Sequence, residues 1–347
     1  MGRSEAERSD DVPRAGSRGN PAGRGGGRME VVGPDHRHRP GSRSAVTIGA
    51  YDGVHLGHRA VLGELRALAA ERDLETVVVT FDRHPASVVR PESAPFLLTD
   101  LPQKLDLLAD CGVDRTLVLP FDRRRADEAA EEFIAEVLVE ALGAQLVVVG
   151  TDFHFGHGRK GNVALLREQG AVQDFEVVGF GLHDAGGTPV SSTRIRELVA
   201  KGDMASASGL LGRDHEVRGT VVRGDGRGGS ELGMPTANVE VPDDIAVPGE
   251  GVYAGWYTDP ARPGSSPAPR HPAAISVGRR PTFYGSEGES LVEVHLLDFE
   301  GDLYDQPAQV TFHRPIRLGQ VEFPSVDELV AQMRRDVEDA RRLLGSA

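Results

Sequence analysis

The stretch that most constrains the fold of this chain is a glycine-rich turn between a strand-like run and a helix-like run. It reads Gly-Ala-Tyr-Asp-Gly-Val-His-Leu-Gly-His over residues 49–58, follows an apolar run at 45–48 and precedes an amphipathic run at 59–72. Glycine lets a backbone turn tightly and lie close to a ligand, and a helix N-terminus presents unpaired N–H groups at the positive end of its dipole. The sequence therefore predicts a strand, a turn and a helix start that bind a phosphate group.

Two histidines of this turn, His55 and His58, are three residues apart. If the helix begins within the turn, both imidazoles project from one face toward the same anion. Two such donors would stabilise the negative charge on a leaving phosphate. An isolated pair with this spacing is more often a pair of partly exposed loop histidines, so the rest of the chain has to decide.

Length and composition indicate two globular domains. The chain has 347 residues, 39% of them hydrophobic and 27% charged, with a formal net charge of -14. This negative charge disfavours a broad nucleic-acid interface, because phosphate binding is mainly an effect of lysine and arginine. The single cysteine, Cys111, excludes an intrachain disulfide and a multi-cysteine metal site.

No segment has the composition of a membrane span or of a secretion signal. No run approaches the roughly 20 apolar residues that cross a bilayer. The first residues contain scattered arginines but no apolar signal-peptide core. We therefore expect a cytoplasmic protein with no membrane partner.

Residues 1–44 are predicted to be a disordered extension. They contain no Phe, Trp, Tyr, Leu or Ile and are rich in Gly, Arg, Ser and Pro, so they cannot bury enough apolar surface to order themselves. Nine arginines against six acidic residues leave contact with RNA or an acidic partner open. A solvated extension is the favoured interpretation.

Alternating strand-like and helix-like runs predict an α/β domain over residues 45–202. Strand-like runs occur at 45–48, 76–81, 116–119, 145–149 and 175–178, and a helix is expected over 126–142. Near-continuous apolar strands separated by helices are typical of a doubly wound parallel sheet of the Rossmann-like kind. Ligands of such sheets bind beyond the carboxyl ends of the strands.

Three more motifs of this half fall at strand ends or at a helix start. They are Thr-Phe-Asp-Arg-His-Pro at 80–85, Gly-Thr-Asp-Phe-His-Phe-Gly at 150–156 and Val-Ser-Ser-Thr-Arg-Ile-Arg at 190–196. The first two place Phe81, Phe153 and Phe155 at the rim of the expected site, where an aromatic ring could stack on a flat ligand. In the third, Ser191 or Ser192 is expected to cap a helix whose N–H groups and arginines converge on an anion. Each motif alone is also consistent with an ordinary loop or capped helix.

The second half predicts a small all-β domain over residues 215–347. A helix-like segment at 203–211, closed by Gly212, is expected to lie in a linker over 203–214. Beyond it, short strand-like runs separated by turn residues favour an antiparallel barrel that a C-terminal helix over 326–344 closes.

Two features of this half are candidates for binding phosphate and for catalysis. A glycine-rich run at 224–238 could cover phosphates, and its Thr236 and Asn238 offer oxygen ligands suited to Mg²⁺. In the strand-like run at 292–299, Glu293 and His295 share one face, and a carboxylate facing a cleft could accept a hydroxyl proton. A long hairpin and a solvent-facing glutamate are the alternatives.

These motifs together resemble the bacterial bifunctional riboflavin kinase/FAD synthetase family. The turn at 49–58 is similar to its G-x-[FY]-D-G-V-H-x-G-H signature, and residues 190–196 to its [IV]-S-S-T-x-[IV]-R motif. Residues 80–85 and 150–156 are similar to its T-F-x-P-H-P and G-x-[ND]-F-x-F-G stretches. In the second half, the glycine-rich run resembles G-x-L-G-x-P-T-A-N, residues 276–283 resemble S-[IV]-G-x-x-P-T-F, and residues 292–299 resemble V-E-x-[HY]-[LIV]-L-D-F. The resemblance covers residues 45–345. A class I aminoacyl-tRNA synthetase shares H-x-G-H but carries a lysine-rich K-M-S-K-S-like loop, which this chain lacks.

The resemblance implies two ATP-dependent reactions. A C-terminal six-stranded flavokinase barrel would phosphorylate riboflavin to FMN, and an N-terminal H-x-G-H nucleotidyltransferase domain would join FMN to the AMP part of ATP, giving FAD and pyrophosphate. Mg²⁺ is the implied metal. Riboflavin, FMN and ATP are the implied small-molecule partners, with no nucleic acid.

The resemblance also implies the residues of the two sites. The expected catalytic residues are His55, His58 and Glu293. The residues expected to bind ATP in the adenylyltransferase are Gly49, Tyr51, Asp52, Gly53, His55, His58, Asp152, Ser191, Ser192, Thr193 and Arg196. Those expected to bind its flavin are Phe81, His84, Pro85 and Phe155, the first and last by packing on the isoalloxazine. Those expected to bind ATP in the kinase are Gly224, Gly226, Gly233, Pro235, Thr236 and Asn238, and Mg²⁺ is expected at Thr236 and Asn238.

Two functions of other classes stay open at this point. One is a flavin-binding or regulatory protein without catalysis, and the other is a nucleic-acid-binding protein that acts through the arginine-rich extension. A homo-oligomer and delivery of flavin to apo-flavoproteins are also left open by the sequence.

Overall fold

The first half of the chain forms a six-stranded parallel sheet with helices around it. The computed structural model describes residues 29–37, 43–181, 184–185, 188–223, 236–259, 268–279, 290–319 and 321–345. The strands of this half are β1 (Glu30–Val32), β2 (Ser44–Ile48), β3 (Glu75–Phe81), β4 (Arg115–Leu119), β5 (Ala144–Gly150), β6 (His154–Phe155), β7 (Gly161–Asn162), β8 (Glu176–Phe180), β9 (Asp184–Ala185) and β10 (Thr188–Pro189). The main sheet has the order β1-β4-β3-β2-β5-β8, while β6 pairs with β7 and β9 with β10.

This order confirms the predicted doubly wound sheet. From β2 the chain adds β3 and β4 on one side and later β5 and β8 on the other, so the winding reverses between β2 and β5. All five residues of β2 are buried, as an apolar strand covered on both faces requires. A ligand crevice is expected at this reversal, beyond the carboxyl ends of β2 and β5.

Eight helices belong to the described part of this half and its junction with the next. They are α1 (Leu56–Arg72), α2 (Pro85–Val89), α3 (Leu101–Asp110), α4 (Arg123–Asp127), α5 (Ala130–Phe133), α6 (Val163–Gln173), α7 (Ser192–Ala200) and α8 (Met204–Leu211). Short 3₁₀ turns lie at Pro91–Ser93 and His157–Arg159, and α5 continues as a π-helical segment over Ile134–Ala141.

The prediction of one continuous helix over 126–142 is wrong at its first residues. Glu128 and Ala129 have extended backbones, so α4 ends at Asp127 and α5 begins at Ala130. The Glu128 carboxylate pairs with Arg125 at 2.6 Å, and its carbonyl accepts a hydrogen bond from the His157 N–H at 2.8 Å. In a continuous helix the Glu128 carbonyl would accept a hydrogen bond from within the helix and would not be available to His157.

The expectation of disorder over residues 1–44 needs correction at β1. Glu30–Val32 pair in parallel with Arg115–Leu117 on the edge of the sheet, and the Glu30 carboxylate lies 2.7 Å from the Arg115 guanidinium. The Met29 side chain packs against a buried cluster beneath the sheet. The average composition of residues 1–44 did not reveal this segment, because its few apolar residues are adjacent in sequence and are enough to form a short edge strand. Residues 1–28 lie outside the described residues.

The second half forms the predicted closed six-stranded antiparallel barrel. Its strands are β11 (His215–Val222), β12 (Ala237–Glu240), β13 (Gly251–Thr258), β14 (Arg270–Arg279), β15 (Ser290–Leu296) and β16 (Pro307–Leu318), in the order β11-β12-β15-β14-β13-β16. Tyr253, Tyr257 and Phe312 are fully buried in the cluster that fills it. Helix α9 (Val326–Leu344) covers the outside, where Ala340 and Leu344 pack on small residues of β13 and β14.

The segment expected to be a linker is part of a packed junction. Met204, Ala207 and Leu211 of α8 are buried in the same apolar cluster as the barrel interior, together with Leu98 from the first domain. Backbone hydrogen bonds also cross the junction: the Leu97 N–H donates to the Asp244 carbonyl, and the Ala246 N–H donates to the Leu97 carbonyl. The two domains therefore share apolar packing and backbone pairing. In the part of the chain that the structure describes, no helix is long and apolar enough to span a membrane.

Candidate active sites of the two domains

The two histidines of the turn after β2 lie against each other, as the sequence predicts. His55 caps the N-terminus of α1, and its Nδ1 accepts a hydrogen bond from the His58 backbone N–H at 3.3 Å. The rings stack with their centroids 3.7 Å apart and their planes 13° from parallel. Gly57 allows this arrangement, because a Cβ there would lie 3.2 Å from the His55 ring.

Both imidazoles are held neutral. Burial, with the charge of the nearby Arg213, lowers the pKa of His55 to about 4. Burial, with His55 and the ammonium of Lys104, lowers the pKa of His58 well below its usual value. Because the Nδ1 of His55 accepts a hydrogen bond, the proton of its neutral ring is on Nε2, which is a donor. The turn therefore offers neutral hydrogen-bond donors to a phosphate.

Asp52 connects the histidine turn to the serine-rich helix start. Its carboxylate accepts hydrogen bonds from the backbone N–H groups of Leu98 and Thr99 at 2.9 and 3.1 Å, and pairs with Arg196 at 2.5 Å. The Ser192 hydroxyl donates to its carbonyl at 2.9 Å. Motifs about 140 residues apart are thus joined at one buried carboxylate. The Arg196 guanidinium, which the sequence assigns to an anion, contacts Asp52 in this structure.

Of the two serines predicted to cap the helix, Ser191 caps α7. Its hydroxyl accepts a hydrogen bond from the Arg194 N–H at 3.3 Å. Thr193, in the first turn, is exposed. The first N–H groups of an α-helix have no partner within the helix itself. The Arg194 side chain pairs with Glu197 at 3.0 Å. The N-terminus of a helix such as this can bind an anion.

The predicted flavin residues flank the histidine turn on both sides. Phe81 ends β3 and Phe155 lies in β6, just after β5, and β3 and β5 are the two neighbours of β2. The Phe155 ring stacks on Phe153 at 5.4 Å, and the Phe81 ring meets Phe121 edge to face at 5.0 Å. Phe81, Phe153 and Phe155 are all partly buried, with part of each side chain packed against the core of the domain.

The remaining predicted residues of this site also lie at the carboxyl edge of the sheet. His84 caps α2, with its Nδ1 accepting from the Ala86 N–H at 3.1 Å, and Pro85 is the first residue of that helix. Gly49 and Gly53 lie in the turn itself, and Tyr51 donates or accepts a 2.7 Å hydrogen bond with the Thr47 hydroxyl. Asp152 is exposed in the loop after β5.

Sequence reasoning missed two contributors to this cleft. Lys104 of α3 is 7% exposed and reaches the ends of β2 and β3. The segment containing Leu98 and Thr99 holds Asp52 and the Gly53 N–H. Neither belongs to a recognised motif. A charged residue on an otherwise apolar helix face is the only signal that the sequence offers for Lys104.

The candidate kinase residues lie on the outer face of the barrel. In the pairing of β12 with β15, Asn238 stands directly opposite Glu293, and in the pairing of β14 with β15, Ser276 also faces Glu293. Val292 and Val294 point into the core, so Glu293 and His295 share the other face, as predicted. Both are partly exposed. The carboxylate and the amide therefore meet on one surface of adjacent strands.

The donor set of this face fits Mg²⁺. Asn238 supplies an amide oxygen beside the Glu293 carboxylate, and Thr236, two residues earlier, supplies a hydroxyl. Mg²⁺ prefers hard oxygen ligands and is usually held by one or two protein groups together with substrate phosphates. The predicted kinase residues Gly224, Gly226, Gly233 and Pro235 lie outside the described residues, as does the end of the 276–283 motif.

Comparison with known proteins identifies both halves. The FAD synthetase family matches residues 38–194, and the riboflavin kinase family matches residues 211–344. The bifunctional riboflavin kinase/FMN adenylyltransferase of Escherichia coli (strain K12) is 39% identical over 306 residues, which cover 88% of this chain and 94% of that protein. This chain belongs to the bifunctional riboflavin kinase/FMN adenylyltransferase family.

Further relatives span the same two domains. The bifunctional riboflavin kinase/FMN adenylyltransferase of Pseudomonas fluorescens is 39% identical over 91% of this chain and 98% of that protein. A crystal structure of a macrolide-efflux protein from Streptococcus pneumoniae superposes with a TM-score of 0.79 at 30% identity, over 90% of this chain and 99% of that chain. The two-domain architecture of this family member therefore recurs in a solved structure.

Proposed function

We propose that each domain of this bifunctional enzyme carries one reaction, at the two faces described above. The chain is a riboflavin kinase and an FMN adenylyltransferase by its family. The turn after β2 is proposed as the adenylyltransferase site, and the face that carries Asn238 and Glu293 as the kinase site. The observation that carries the first assignment is the stacked histidine pair at the winding reversal, joined to the α7 start through Asp52.

In the proposed adenylyl transfer, an oxygen of the FMN phosphate attacks the α-phosphorus of ATP and pyrophosphate leaves. Negative charge grows on the bridging oxygen of the leaving group and on the oxygens of the reacting phosphorus. His55 and His58 are proposed to donate hydrogen bonds to these oxygens, and the first N–H groups of α7 to hold the polyphosphate. No protein nucleophile takes part, so positioning and charge stabilisation dominate.

In this proposal the flavin lies between the loops that follow β3 and β5. Phe81 and Phe155 would pack on its rings from the two sides, and the Nε2–H of His84 would donate toward its phosphate. Gly49, Tyr51 and Gly53 shape the turn beneath the nucleotide, while Asp152, Ser191 and Thr193 border it. Asp52 and Arg196 hold the two motifs in register.

In the proposed kinase reaction, the terminal ribityl hydroxyl of riboflavin attacks the γ-phosphorus of ATP, the bond from that phosphorus to the β,γ-bridging oxygen breaks, and ADP leaves. A primary alcohol is a poor nucleophile, so the Glu293 carboxylate orients it and accepts its proton as the new bond forms. Thr236 and Asn238 would hold Mg²⁺ on the same face. When bound, the ion offsets phosphate charge and orients the polyphosphate.

Several finer expectations belong to this proposal. A requirement for Mg²⁺, a cytoplasmic location, a homo-oligomeric state and delivery of flavin to apo-flavoproteins are predictions from the sequence. The ranges 45–202 and 215–347 are the proposed limits of the two functional units.

Chromatography of the flavin products tests the proposal. The purified chain is incubated with ATP and Mg²⁺ and supplied with riboflavin in one reaction and FMN in another. We expect FMN followed by FAD in the first and FAD alone in the second, with both conversions lost when EDTA removes the metal. Conversion that continues in EDTA would overturn the Mg²⁺ assignment, and absence of both products would overturn the assigned reactions.

A further inference from the structure

A buried lysine lies beneath the adenylyltransferase cleft. Lys104 belongs to α3, yet its ammonium reaches past that helix to the carboxyl ends of β2 and β3. Only 7% of the residue is exposed, and it borders the same cleft as Asp52, Asp82 and His84. A buried ammonium is costly unless hydrogen bonds and opposite charges compensate it, so its presence beside a reaction site requires an explanation.

The ammonium ties together the two loops that carry the predicted site residues. Its Nζ donates to the Ala50 carbonyl at 3.2 Å and to the Phe81 carbonyl at 2.9 Å. Ala50 begins the turn that leads to His55 and His58, and Phe81 is the last residue of β3 before His84. The Thr80 hydroxyl also donates to the Ala50 carbonyl at 3.2 Å, so this carbonyl is held from two sides.

The ammonium of Lys104 lies among charged and titratable groups of the cleft. Two carboxylates are near enough to stabilise it, Asp52 from the turn after β2 and Asp82 from the loop after β3. Their hydrogen-bonded ion pairs are with other residues, Arg196 and Arg83. The lysine thus donates to backbone carbonyls, and its positive charge lowers the pKa of the imidazoles of His58 and His84.

We propose that Lys104 is a positioning residue for adenylyl transfer, which holds the turn starting at Ala50 against the loop after Phe81 and places a fixed positive charge beneath the phosphates that meet there. This inference rests on the proposed function of the cleft. A lysine that served folding alone would need the two hydrogen bonds but not the charge.

The titration of the ammonium separates these two roles. Burial lowers the pKa of Lys104 to about 8, while the neutral amine above that pH keeps N–H donors for the carbonyls. The charged or titratable groups that face it are Asp52, Asp82, Arg83, His58 and His84. Burial lowers the pKa of both imidazoles below 6.5, so a change between pH 7 and 9.5 reports the ammonium.

The first experiment compares full-length Lys104→Met with wild type. FAD formation from added FMN is measured as kcat and KM at pH 7.5, with FMN formation from riboflavin by the same sample as the internal reference. Methionine replaces the apolar stem of lysine up to Cε and removes both the charge and the donors. We expect kcat for FAD to fall by about a hundredfold, the size of one lost electrostatic group, with FMN formation within twofold of wild type. Lys201→Met, on an exposed lysine at the end of α7, is the matched control.

The second experiment is the pH profile of FAD formation in wild type and in Lys104→Arg. We expect the wild-type kcat to fall by about tenfold or more between pH 7 and 9.5 as the ammonium loses its proton. Arginine stays charged over this range, so the Arg variant should lack that decline. FMN formation by the same samples corrects for effects of pH on ATP and Mg²⁺.

Each outcome decides the inference. A Lys104→Met kcat within threefold of wild type overturns the positioning role. If that variant loses its cooperative melting transition, the wild-type profile decides: the expected decline supports the charge role, and a flat profile to pH 9.5 overturns it. A wild-type chain that makes no FAD at all would refute the proposed function instead, so the two failures are distinguishable.

Discussion

His58 is the residue through which the adenylyltransferase assignment is tested most directly. Its ring stacks on His55 and its pKa is lowered, so it is a neutral donor at the cleft. We expect His58→Ala to reduce FAD formation at saturating FMN by about a hundredfold or more, because one electrostatic donor to the transition state is lost. FMN formation by the same sample should be unchanged. His157→Ala removes an exposed histidine of the same domain and serves as the control. Wild-type FAD synthesis by the His58 variant would contradict the assignment.

Glu293 plays the corresponding part in the barrel. It lies opposite Asn238 on the outer face, and it is the proposed acceptor of the ribityl hydroxyl proton. We expect Glu293→Gln, which is nearly isosteric, to lower the turnover of FMN formation by about 10²- to 10⁴-fold with a smaller change in riboflavin affinity. FAD synthesis from added FMN should continue. Glu240→Gln, at the exposed end of β12, is the matched control. If turnover of the Glu293 variant stays within threefold, His295 on the same strand face becomes the candidate base.

Motifs predicted the position of single residues well where the chemistry is local in sequence. His55 and His58 share one helix start, so their spacing alone predicts that they meet. Lys104 and Thr99 escaped prediction because their partners are 23 to 54 residues away in sequence. The ion pair between Arg196 and Asp52 was also not predicted. The two residues are far apart in sequence, and both were expected to contact the ligand.

At the scale of one element, the first turns of α1 show how tightly the histidine pair is packed. Glycine within a helix is usually less favourable than alanine by about 0.5 to 1 kcal/mol, so replacement by alanine should stabilise the protein. Gly63, in the same helix, has no atom within 4 Å of an added Cβ. At Gly57 the added Cβ would lie 3.2 Å from the His55 ring and 3.4 Å from the Val190 carbonyl.

The two glycines therefore give opposite predictions. We expect Gly63→Ala to raise the free energy of unfolding by about 0.5 to 1 kcal/mol and to leave both activities unchanged. Gly57→Ala should give no such gain and should lower FAD formation about tenfold or more, because the His55 ring has to move and small misplacements of catalytic groups are costly. Thermal unfolding and the two flavin assays measure both effects. Equal behaviour of the two variants would show that the His55 position is not critical.

Elements were predicted best where apolar periodicity is long. The five predicted strands of the doubly wound sheet and helix α9 lie within one or two residues of their predicted positions. The short strands β1 and β12 were missed as strands, since a few residues carry too little pattern and depend on the strand beside them. The break at Glu128 was missed because an ion pair and a long-range backbone hydrogen bond outweigh helix propensity there.

At the scale of the whole molecule, the junction between the domains contains a buried neutral histidine. His215 is 2% exposed, and its Nε2–H donates to the Ala246 carbonyl at 2.7 Å, while the Ala246 N–H donates to Leu97 of the other domain. Burial lowers the pKa of His215 to about 4. The imidazole of His215 binds a proton more tightly in the unfolded chain than in the folded protein. The contribution of the neutral, buried His215 to stability is therefore complete above pH 6.5 and is lost as the pH falls toward 4.

Because of this histidine, we expect the folded protein to lose stability at acid pH. A shift from 6.5 to about 4 makes the wild-type chain about 2 kcal/mol less stable at pH 5 than at pH 7.5 through His215 alone. His215→Gln keeps a donor for the carbonyl and removes the titration, so its melting temperature should fall less between pH 6.5 and 5. His55 and His58 act with the same sign and remain in both proteins. An unchanged slope in the Gln variant would place the acid sensitivity elsewhere.

The apolar cluster that α7, α8 and the barrel share also affects which fragment of the chain can keep the kinase activity alone. All six barrel strands and α9 follow residue 203, so a fragment 203–347 should still convert riboflavin to FMN and make no FAD. Yet Ile195, Leu198 and Val199 of α7 pack in the same cluster as α8 and the barrel interior. Cutting at 203 removes these side chains, and each buried aliphatic side chain contributes about 1.5 to 3 kcal/mol.

A pair of fragments tests this interpretation. We expect 190–347, which retains α7, to melt about 5 °C or more above 203–347, while both form FMN at similar rates at a temperature where both are folded. Circular dichroism gives the melting temperatures, and chromatography gives the flavin products. If 190–347 is folded but makes no FMN, the kinase face needs the first domain, and the contacts of Leu97 with Asp244 and Ala246 become the connection to examine. If the two fragments melt together, the buried side chains of α7 contribute nothing to the stability of the barrel.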